Sequence, residues 1–415
     1  MKKLFKIMAV VLAIGLILAV NAAPAFAAGA YTAVAGGTTT FEKYLAVEAG
    51  SSVPNKTFDF SIAAGEAVPA TASSMAVLAG IGTPTITDPA FTNSDPTDAV
   101  ANASATDDVA LTAVASQLSG MDYAQKTVTV DFSSVSFPEP GIYRYVITEA
   151  EQTAPYSNVD ARVKYMDVYV VDAQAKALSE NVDPADPSFP AAGTLVVDSY
   201  ILHADPAAPE LNTTGGTEGD DVDDSKTDGF VNKYETVDLG FSKRISGNQA
   251  AKDKYFKFTV TLTENTVLVG DTDVFAVEIT GAEAAPTANA ATTYTSMTNP
   301  TEVTGAQLKA GVDFYLNDGQ YVLIKDLPKG IEYEVVEDEE DYNQKAQEND
   351  VQGDGTYDDE PSSTLDGDVY VGYENEREGT IPTGVILTVA PFMIGLLVFG
   401  AVMMFVISRR RRAAY

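Results

Sequence analysis

The chain has 415 residues, with 59 acidic and 26 basic side chains and a formal net charge of −33 at pH 7. Such an acidic chain does not bind nucleic acid through phosphate contacts, and its charge favours solubility through mutual repulsion. It contains no cysteine and only one histidine, His203, which excludes disulfides and leaves no Cys/His or Ser/His/Asp catalytic site.

The first 27 residues have the three parts of a secretory signal peptide. The basic stretch MKKLFK precedes the apolar run IMAVVLAIGLILAV, and Ala25-Phe26-Ala27 supplies small residues at a cleavage site. An uncleaved membrane anchor is the alternative. We therefore expect an exported protein whose mature chain begins at residue 28.

The central part of the chain consists of short alternating runs separated by Gly, Pro, Asp and Asn. Clear examples are KTVTVDF (126–132), GIYRYVITE (141–149), RVKYMDVYVVD (162–172), YFKFTVTL (255–262) and QYVLIKDL (320–327). No amphipathic helix longer than a few turns stands out. This pattern predicts an all-β fold of two tandem Ig-like β-sandwich domains.

A weak internal repeat sets the domain boundary near Glu235. Three pairs of segments correspond in the same order: FEKYLAV (41–47) with FSKRISG (241–247), PGIYRYVITE (140–149) with KGIEYEVVE (329–337), and GFVNKY (229–234) with VGYENE (371–376). We predict domains at 28–235 and 236–378. An Ala- and Thr-rich insertion at 63–120 enlarges the first domain and is expected to be surface loop.

Strand alternation places one lysine, one glutamate and one asparagine on the apolar face of each half. These residues are Lys43, Glu149 and Asn232 in the first half and Lys243, Glu337 and Asn375 in the second. Polar residues at half-exposed strand ends are the ordinary alternative. Both halves place these three residue types on the apolar face in the same order, which favours burial instead. An uncompensated buried charge is very costly.

A covalent reaction would remove these charges. Burial disfavours the lysine ammonium, and the neutral amine is a nucleophile beside the asparagine carboxamide. A neutral glutamate can hydrogen-bond the carboxamide oxygen and carry protons while ammonia departs. The product is a Lys–Asn isopeptide bond, and a well-oriented intramolecular reaction recovers roughly 7–11 kcal/mol of the barrier.

Residues 379–415 form a separate segment. Ile381-Pro382-Thr383-Gly384 precedes an apolar run from 385 to 407 that is long enough to span a bilayer, and four arginines at 409–412 follow it. The arginines mark the cytoplasmic side. We expect a transmembrane helix that holds the precursor in the membrane.

The acidic clusters EGDDVDD (218–224) and EDEED (337–341) raise the possibility of calcium binding. They lack the D-x-[DN]-x-[DN]-G spacing of a calcium loop. We therefore expect no metal and no cofactor.

Several stretches resemble Gram-positive pilins, most closely the streptococcal T-antigen type of major (backbone) pilin with isopeptide-linkage domains. They are VDFSSVSFPEPGIYRYVITE (130–149), EYEVVEDEEDYN (332–343) and the asparagine strands at 230–234 and 371–376. The resemblance implies Lys43–Asn232 and Lys243–Asn375 bonds, with Glu149 and Glu337 assisting.

The tail is similar to a sortase sorting signal of the LPxTG kind, with Ile381 in place of leucine. This implies that a sortase cuts between Thr383 and Gly384 and joins Thr383 to a lysine of the next copy, and the last subunit to peptidoglycan. Lys226 is the candidate donor, because it lies six residues before Asn232, close to where the T-antigen pilins that this chain resembles place theirs, and its surroundings suggest an exposed approach to the end of the first domain. A plain surface lysine is the alternative. Lys164 and Lys233 are the alternates.

The predicted function is therefore a structural subunit of a covalent homopolymer, a wall-anchored pilus on the surface of a Gram-positive bacterium. The partners implied are a sortase, further copies of the chain, minor pilins and peptidoglycan. Apart from forming its own bonds, the protein is not expected to be an enzyme. An ancillary pilin or a monomeric wall-anchored adhesin is the alternative.

Overall fold

The computed structural model describes residues 31–71, 74–207, 225–281, 294, 297–338, 341–348 and 362–379. The predicted signal peptide, the IPTG motif, the apolar tail with its arginines and the acidic cluster 218–224 lie outside the described residues. Within the described ranges, no helix combines the length and apolar character needed to cross a bilayer.

Strands dominate both halves, which confirms the all-β prediction. The first half contains β1 (Val34–Ala35), β2 (Thr38–Glu48), β3 (Lys56–Thr57), β4 (Phe60–Ala64), β5 (Leu78–Ala79), β6 (Thr85–Ile86), β7 (Ala90–Phe91), β8 (Asp98–Ala99), β9 (Met121–Asp131), β10 (Ser136–Phe137), β11 (Gly141–Glu149), β12 (Tyr156–Asn158), β13 (Val163–Asp172), β14 (Leu195–His203) and β15 (Gly229–Tyr234). The second half contains β16 (Thr236–Ser246), β17 (Phe256–Leu262), β18 (Val274–Thr280), β19 (Glu302–Thr304), β20 (Val312–Leu316), β21 (Tyr321–Pro328), β22 (Glu332–Glu337), β23 (Asn343–Glu348), β24 (Ser362–Thr364) and β25 (Val369–Glu376). The five runs predicted as strands correspond to β9, β11, β13, β17 and β21.

The described helices are short. They are α1 (Val109–Ala113), α2 (Ala173–Ser179) and α3 (Gly305–Ala310), with single 3₁₀ turns at Val100–Asn102, Ala115–Gln117 and Thr266–Leu268. Side-chain hydrogen bonds cap the N-terminal ends of α2 and α3. The Asp172 carboxylate accepts from the backbone N–H of Gln174, and Thr304 forms a capping box with Gln307.

The first half is a sandwich of two sheets. The lysine–asparagine sheet has the order β12-β15-β2-β9-β6, with β8 on β9, and the glutamate sheet has the order β14-β13-β11-β4, with β5 on β11. The core between them is aromatic: Phe60 packs edge-to-face on Phe41 and Phe230, with ring centroids 5.5 and 5.2 Å apart. Aromatic rings therefore form much of the hydrophobic core between the two sheets of the first half.

The second half repeats this plan. Its lysine–asparagine sheet has the order β19-β18-β21-β16-β25-β23, and its glutamate sheet has the order β20-β17-β22-β24. A single apolar cluster fills the space between these two sheets, and Phe258 lies within 5.6 Å of Phe241 and 5.0 Å of Tyr373, centroid to centroid.

The inward parity predicted for the key strands is confirmed by burial. The six candidate residues and their same-face neighbours on these strands are all at most 9% exposed: Phe41, Lys43, Leu45, Val47, Tyr143, Tyr145, Ile147, Glu149, Phe230, Asn232, Tyr234, Leu239, Phe241, Lys243, Ile245, Ile331, Tyr333, Val335, Glu337, Val369, Val371, Tyr373 and Asn375. Because side chains alternate across a strand, the correct parity brings all six candidate residues to the core side of their sheets.

The expectation that residues 63–120 form surface loop is wrong. This insertion contributes β5, which pairs with β11, β6 and β8, which pair with β9, β7, which pairs with β3, and α1, which packs on the outer face of the first lysine–asparagine sheet. Leu111 and Leu118 from the insertion pack with Tyr44, Ala46 and Val231 in a second apolar cluster. The low-complexity Ala/Thr composition conceals this role, because a few buried residues are enough to anchor the segment.

Leu111 provides a test of this outer layer. It is fully buried, so Leu111→Ala should reduce the free energy of unfolding by about 2–5 kcal/mol through lost contacts and a cavity. Leu178 on α2 is 54% exposed and serves as the matched control, for which Leu178→Ala should change stability by less than about 0.5 kcal/mol. Urea unfolding of both variants gives the comparison, and equal stabilities would contradict a packed insertion.

Candidate isopeptide centres

The first centre joins three fully buried side chains from the two facing sheets. Lys43 projects from β2, Asn232 from the neighbouring β15, and Glu149 from the end of β11. Glu149 Oε1 lies 2.9 Å from Lys43 Nζ and accepts a 2.7 Å hydrogen bond from Asn232 Nδ2. One carboxylate oxygen therefore contacts both the nucleophile and the nitrogen that would leave.

The second centre has the same arrangement. Lys243 on β16 donates to Glu337 Oε1 and Oε2 at 2.6 and 2.9 Å, and Asn375 Nδ2 on β25 donates to Glu337 Oε1 at 2.6 Å. Lys243 and Asn375 are at most 1% exposed, and Glu337 is 9% exposed. The repeat found in the sequence is therefore also a repeat of geometry.

Strand register accounts for the shared geometry. β2 and β15 pair in parallel with Leu45 opposite Asn232, and β16 and β25 pair in parallel with Ile245 opposite Asn375. In each case the asparagine lies opposite the residue two positions after the lysine. Lysine and asparagine therefore share a face at a diagonal separation that a long side chain can cross.

Aromatic rings line the lysine side of each centre. Lys43 Nζ lies 4.8 Å from the ring centroid of Phe58, and Lys243 Nζ lies 4.5 Å from that of Phe256 and 5.6 Å from that of Phe258. The rings exclude water, and their negative faces give a cation some compensation. They leave the amine with few polar partners.

Burial lowers the pKa of Lys43 and of Lys243 from 10.5 to about 8 in each case. Desolvation is the largest cause and disfavours the ammonium, while the adjacent Glu149 or Glu337 opposes it. A substantial neutral fraction is therefore present near pH 8, which a solvated lysine does not have.

One detail differs from the sequence-based expectation. The glutamates accept from the carboxamide nitrogen Nδ2, whereas we expected them to bond the carboxamide oxygen. In the first centre the oxygen Asn232 Oδ1 lies instead 3.4 Å from Asn158 Nδ2. The pattern of strands gave no signal for Asn158, because it lies on the short strand β12.

The structure encloses one of the three candidate donor lysines and leaves the other two partly exposed. Lys164 is 2% exposed, pairs with Asp160 at 2.5 Å and donates to the Gly229 carbonyl, so its amine is enclosed within the first half. Lys233 is partly exposed and lies 3.1 Å from Glu235. Lys226 is half-buried and pairs through an isolated backbone β-bridge with His203, the last residue of β14.

Comparison with known families gives one match for each half. Residues 40–235 match the family described as "Spy0128-like isopeptide containing domain", and residues 237–366 match a "Domain of unknown function (DUF7601)". A pilin from Streptococcus pyogenes serotype M1 is 26% identical over 297 residues, which cover 68% of this chain and 71% of that protein.

Solved structures share the fold. The major pilin from Streptococcus pyogenes aligns with 83% of this chain and 100% of its own, at a TM-score of 0.53 and 21% identity. The major pilin T3.2 from the same species aligns with 83% of this chain and 99% of its own, at 0.51 and 19%. Both halves of the sandwich architecture therefore have a counterpart among known structures.

The pKa of Lys43 predicts a pH dependence of stability in a variant that cannot be crosslinked. In Asn232→Ala, the unfolded lysine binds a proton up to its ordinary pKa of 10.5, whereas the folded lysine loses it near pH 8. Because the unfolded state then binds more protons, the free energy of unfolding should rise between pH 8 and pH 9.5.

Urea unfolding of Asn232→Ala at successive pH values measures this rise. The double variant Lys43→Met/Asn232→Ala is the control, since it lacks the titrating amine and should show a flatter profile. Identical profiles for the two variants would show that Lys43 keeps an ordinary pKa in the folded protein.

Proposed function

We propose that this chain is a structural subunit of a pilus, related to the streptococcal major pilins, and that an autocatalytic Lys–Asn isopeptide bond crosslinks each half. The bonds join Lys43 to Asn232 and Lys243 to Asn375. The observation that carries the proposal is the duplicated centre, in which a buried glutamate contacts both the lysine amine and the asparagine carboxamide.

The reaction begins with proton transfer across the short ion pair. Lys43 Nζ gives a proton to Glu149 along the 2.9 Å contact, which replaces two buried charges with a neutral amine and a neutral acid. Desolvation favours this exchange because no water remains to stabilise the charges. The amine then attacks the Asn232 side-chain carbonyl carbon and forms a tetrahedral intermediate.

The same glutamate completes the exchange. Its proton passes to Asn232 Nδ2, which already donates to Oε1 at 2.7 Å, and the attacking nitrogen returns a proton to the carboxylate. The C–N bond to Nδ2 breaks and ammonia leaves, so one amide is converted into another with no oxidant or cofactor. The second centre proceeds identically through Glu337.

Each bond forms once, within its own chain, so the protein is a substrate of its own chemistry and not a turnover enzyme. An amide is a poor electrophile, and the fixed geometry supplies the roughly 7–11 kcal/mol that a well-oriented intramolecular reaction recovers. The folded sandwich therefore acts as the catalyst.

The crosslinks also define the mechanical role of the two domains, which we place at 28–235 and 236–378. Each bond joins neighbouring parallel strands that lie near the beginning and the end of a domain, β2 to β15 and β16 to β25. Pulling force then passes through covalent bonds, and the hydrogen bonds of the sheet carry little of it. A cysteine-free fibre thereby obtains what disulfides provide in other exported proteins.

Polymerisation is proposed to proceed through a sortase. The signal peptide directs export, the apolar segment 385–407 holds the precursor in the membrane, and the enzyme cuts between Thr383 and Gly384 of the Ile381-Pro382-Thr383-Gly384 motif. Thr383 is then joined to Lys226 of the next subunit, and the last subunit to peptidoglycan. Lys226 is partly accessible near the end of β14, whereas the alternate Lys164 is enclosed.

Intact mass tests the internal bonds. Recombinant residues 28–380 should weigh less than their sequence by one ammonia for each bond, two in all. Glu149→Ala and Glu337→Ala should each restore one ammonia, because the proton carrier is lost. Glu334→Ala is the matched control on β22, since Glu334 lies on the opposite face and should leave both bonds intact. Full sequence mass in the wild type would refute the crosslinks.

Gel electrophoresis of wall extracts under denaturing conditions tests polymerisation. The wild-type chain should give a high-mass ladder, and Lys226→Ala should abolish it. Lys233→Ala, a change at a neighbouring partly exposed lysine, should leave it intact. A ladder lost only with Lys233→Ala would transfer the donor role to that residue, and a single band in the wild type would favour the monomeric adhesin.

A further inference from the structure

We propose that Asn158 is a catalytic residue of the first centre, where its carboxamide N–H stabilises the negative charge that develops on Asn232 Oδ1. The inference rests on the proposed isopeptide reaction and adds a residue to it. The second centre has no equivalent donor in the part of the chain that the structure describes, which makes the two reactions unequal.

Strand pairing places Asn158 beside the reacting carboxamide. β12 runs antiparallel to β15, with Asn158 directly opposite Asn232. β12 is the outermost strand of the sheet on that side. Its last residue therefore faces the reacting asparagine from the side opposite to β2 and Lys43.

A backbone donor fixes the orientation of the Asn158 side chain. The backbone N–H of Gln152 donates to Asn158 Oδ1 at 2.9 Å, so the carboxamide oxygen is held outward and Nδ2 is turned toward the centre. Nδ2 then lies 3.1 Å from Glu149 Oε2 and 3.4 Å from Asn232 Oδ1. The flipped orientation would place an NH₂ group against the Gln152 N–H and lose these contacts.

The donor is aimed at the atom that becomes charged. When Lys43 attacks, the Asn232 carbonyl oxygen acquires negative charge, and a preorganised N–H donor in a dry site stabilises that charge strongly. The 3.4 Å contact is long for a neutral carbonyl and shortens as the oxygen becomes an anion. The contact to Glu149 Oε2 keeps the donor in place meanwhile.

The second centre differs at the corresponding position. β23 pairs with β25, and Gln344 lies opposite Asn375 as Asn158 lies opposite Asn232. Gln344 Nε2, however, donates to the Asp338 carbonyl at 2.8 Å. Within the described ranges, Asn375 Oδ1 has no hydrogen-bond partner. The first bond is therefore expected to form faster than the second.

Time-resolved mass spectrometry tests the assignment. Residues 28–380 are made by cell-free synthesis, samples are quenched in acid at intervals, and peptide mapping gives the rate of each bond. Asn158→Leu preserves the side-chain shape but removes the donor, so the first bond should slow by about 10²–10³-fold, the usual effect of losing one oxyanion donor. The second bond should keep its rate, and Gln344→Leu should change neither.

Two further measurements separate catalysis from structure. Asn158→Asp retains the oxygen that accepts from Gln152, so a structural role predicts the wild-type rate, whereas the proposal predicts a slow first bond. Prolonged incubation should bring the slowed variants to full crosslinking, which a misfolded protein would not reach.

The outcomes also distinguish a failure of the Asn158 proposal from a failure of the proposed isopeptide reaction. A wild-type chain without the first bond would overturn both. A wild-type chain with the bond, together with Asn158 variants that react equally fast, would overturn only the role of Asn158. Fragment spectra that join Lys43 to Asn158 would also overturn it, since Asn158 would then be the electrophile.

Discussion

The structure depends on the enclosure of a lysine and a glutamate in the same dry space, once in each half. Separately, either charge would destabilise the core by several kcal/mol. Together, at 2.9 Å for Lys43 and Glu149 and 2.6 Å for Lys243 and Glu337, they form the centres that we propose to react, because desolvation favours the neutral amine. The aromatic packing and the parallel strand pairs both serve to keep this arrangement closed to water.

Much of the fold and the positions of the six central residues could be predicted from the sequence. Alternation is a local property, so GIYRYVITE and its counterpart at 329–337 indicated both the strand and the inward glutamate. The repeated order of lysine, glutamate and asparagine then favoured burial of all six side chains over a chance alignment. Such reasoning works where a strand is long and one face is buried, because its period of two is then visible.

Other features could not be read from the sequence, for physical reasons. The insertion covers a sheet through a few residues such as Leu111, and its composition resembles loop. Asn158 ends a three-residue strand that is too short to show a period, and its orientation depends on the backbone of Gln152. The hydrogen bond of the glutamate to nitrogen instead of oxygen depends on the details of packing. Each of these features depends on a contact between residues far apart in the sequence, which local alternation does not indicate.

The parallel pairing of β2 with β15, together with the proposed crosslink between them, has a consequence for how the chain withstands proteolysis. With the proposed Lys43–Asn232 bond in place, the backbone between these two residues no longer carries the pulling force, and the proposed Lys243–Asn375 bond has the same effect in the second half. A protease that nicks a surface loop inside either closed ring leaves the two cut ends tethered. A chain with both proposed bonds stays continuous after such damage, and only cleavage in the short connector between the two closed rings, or beyond them, severs it.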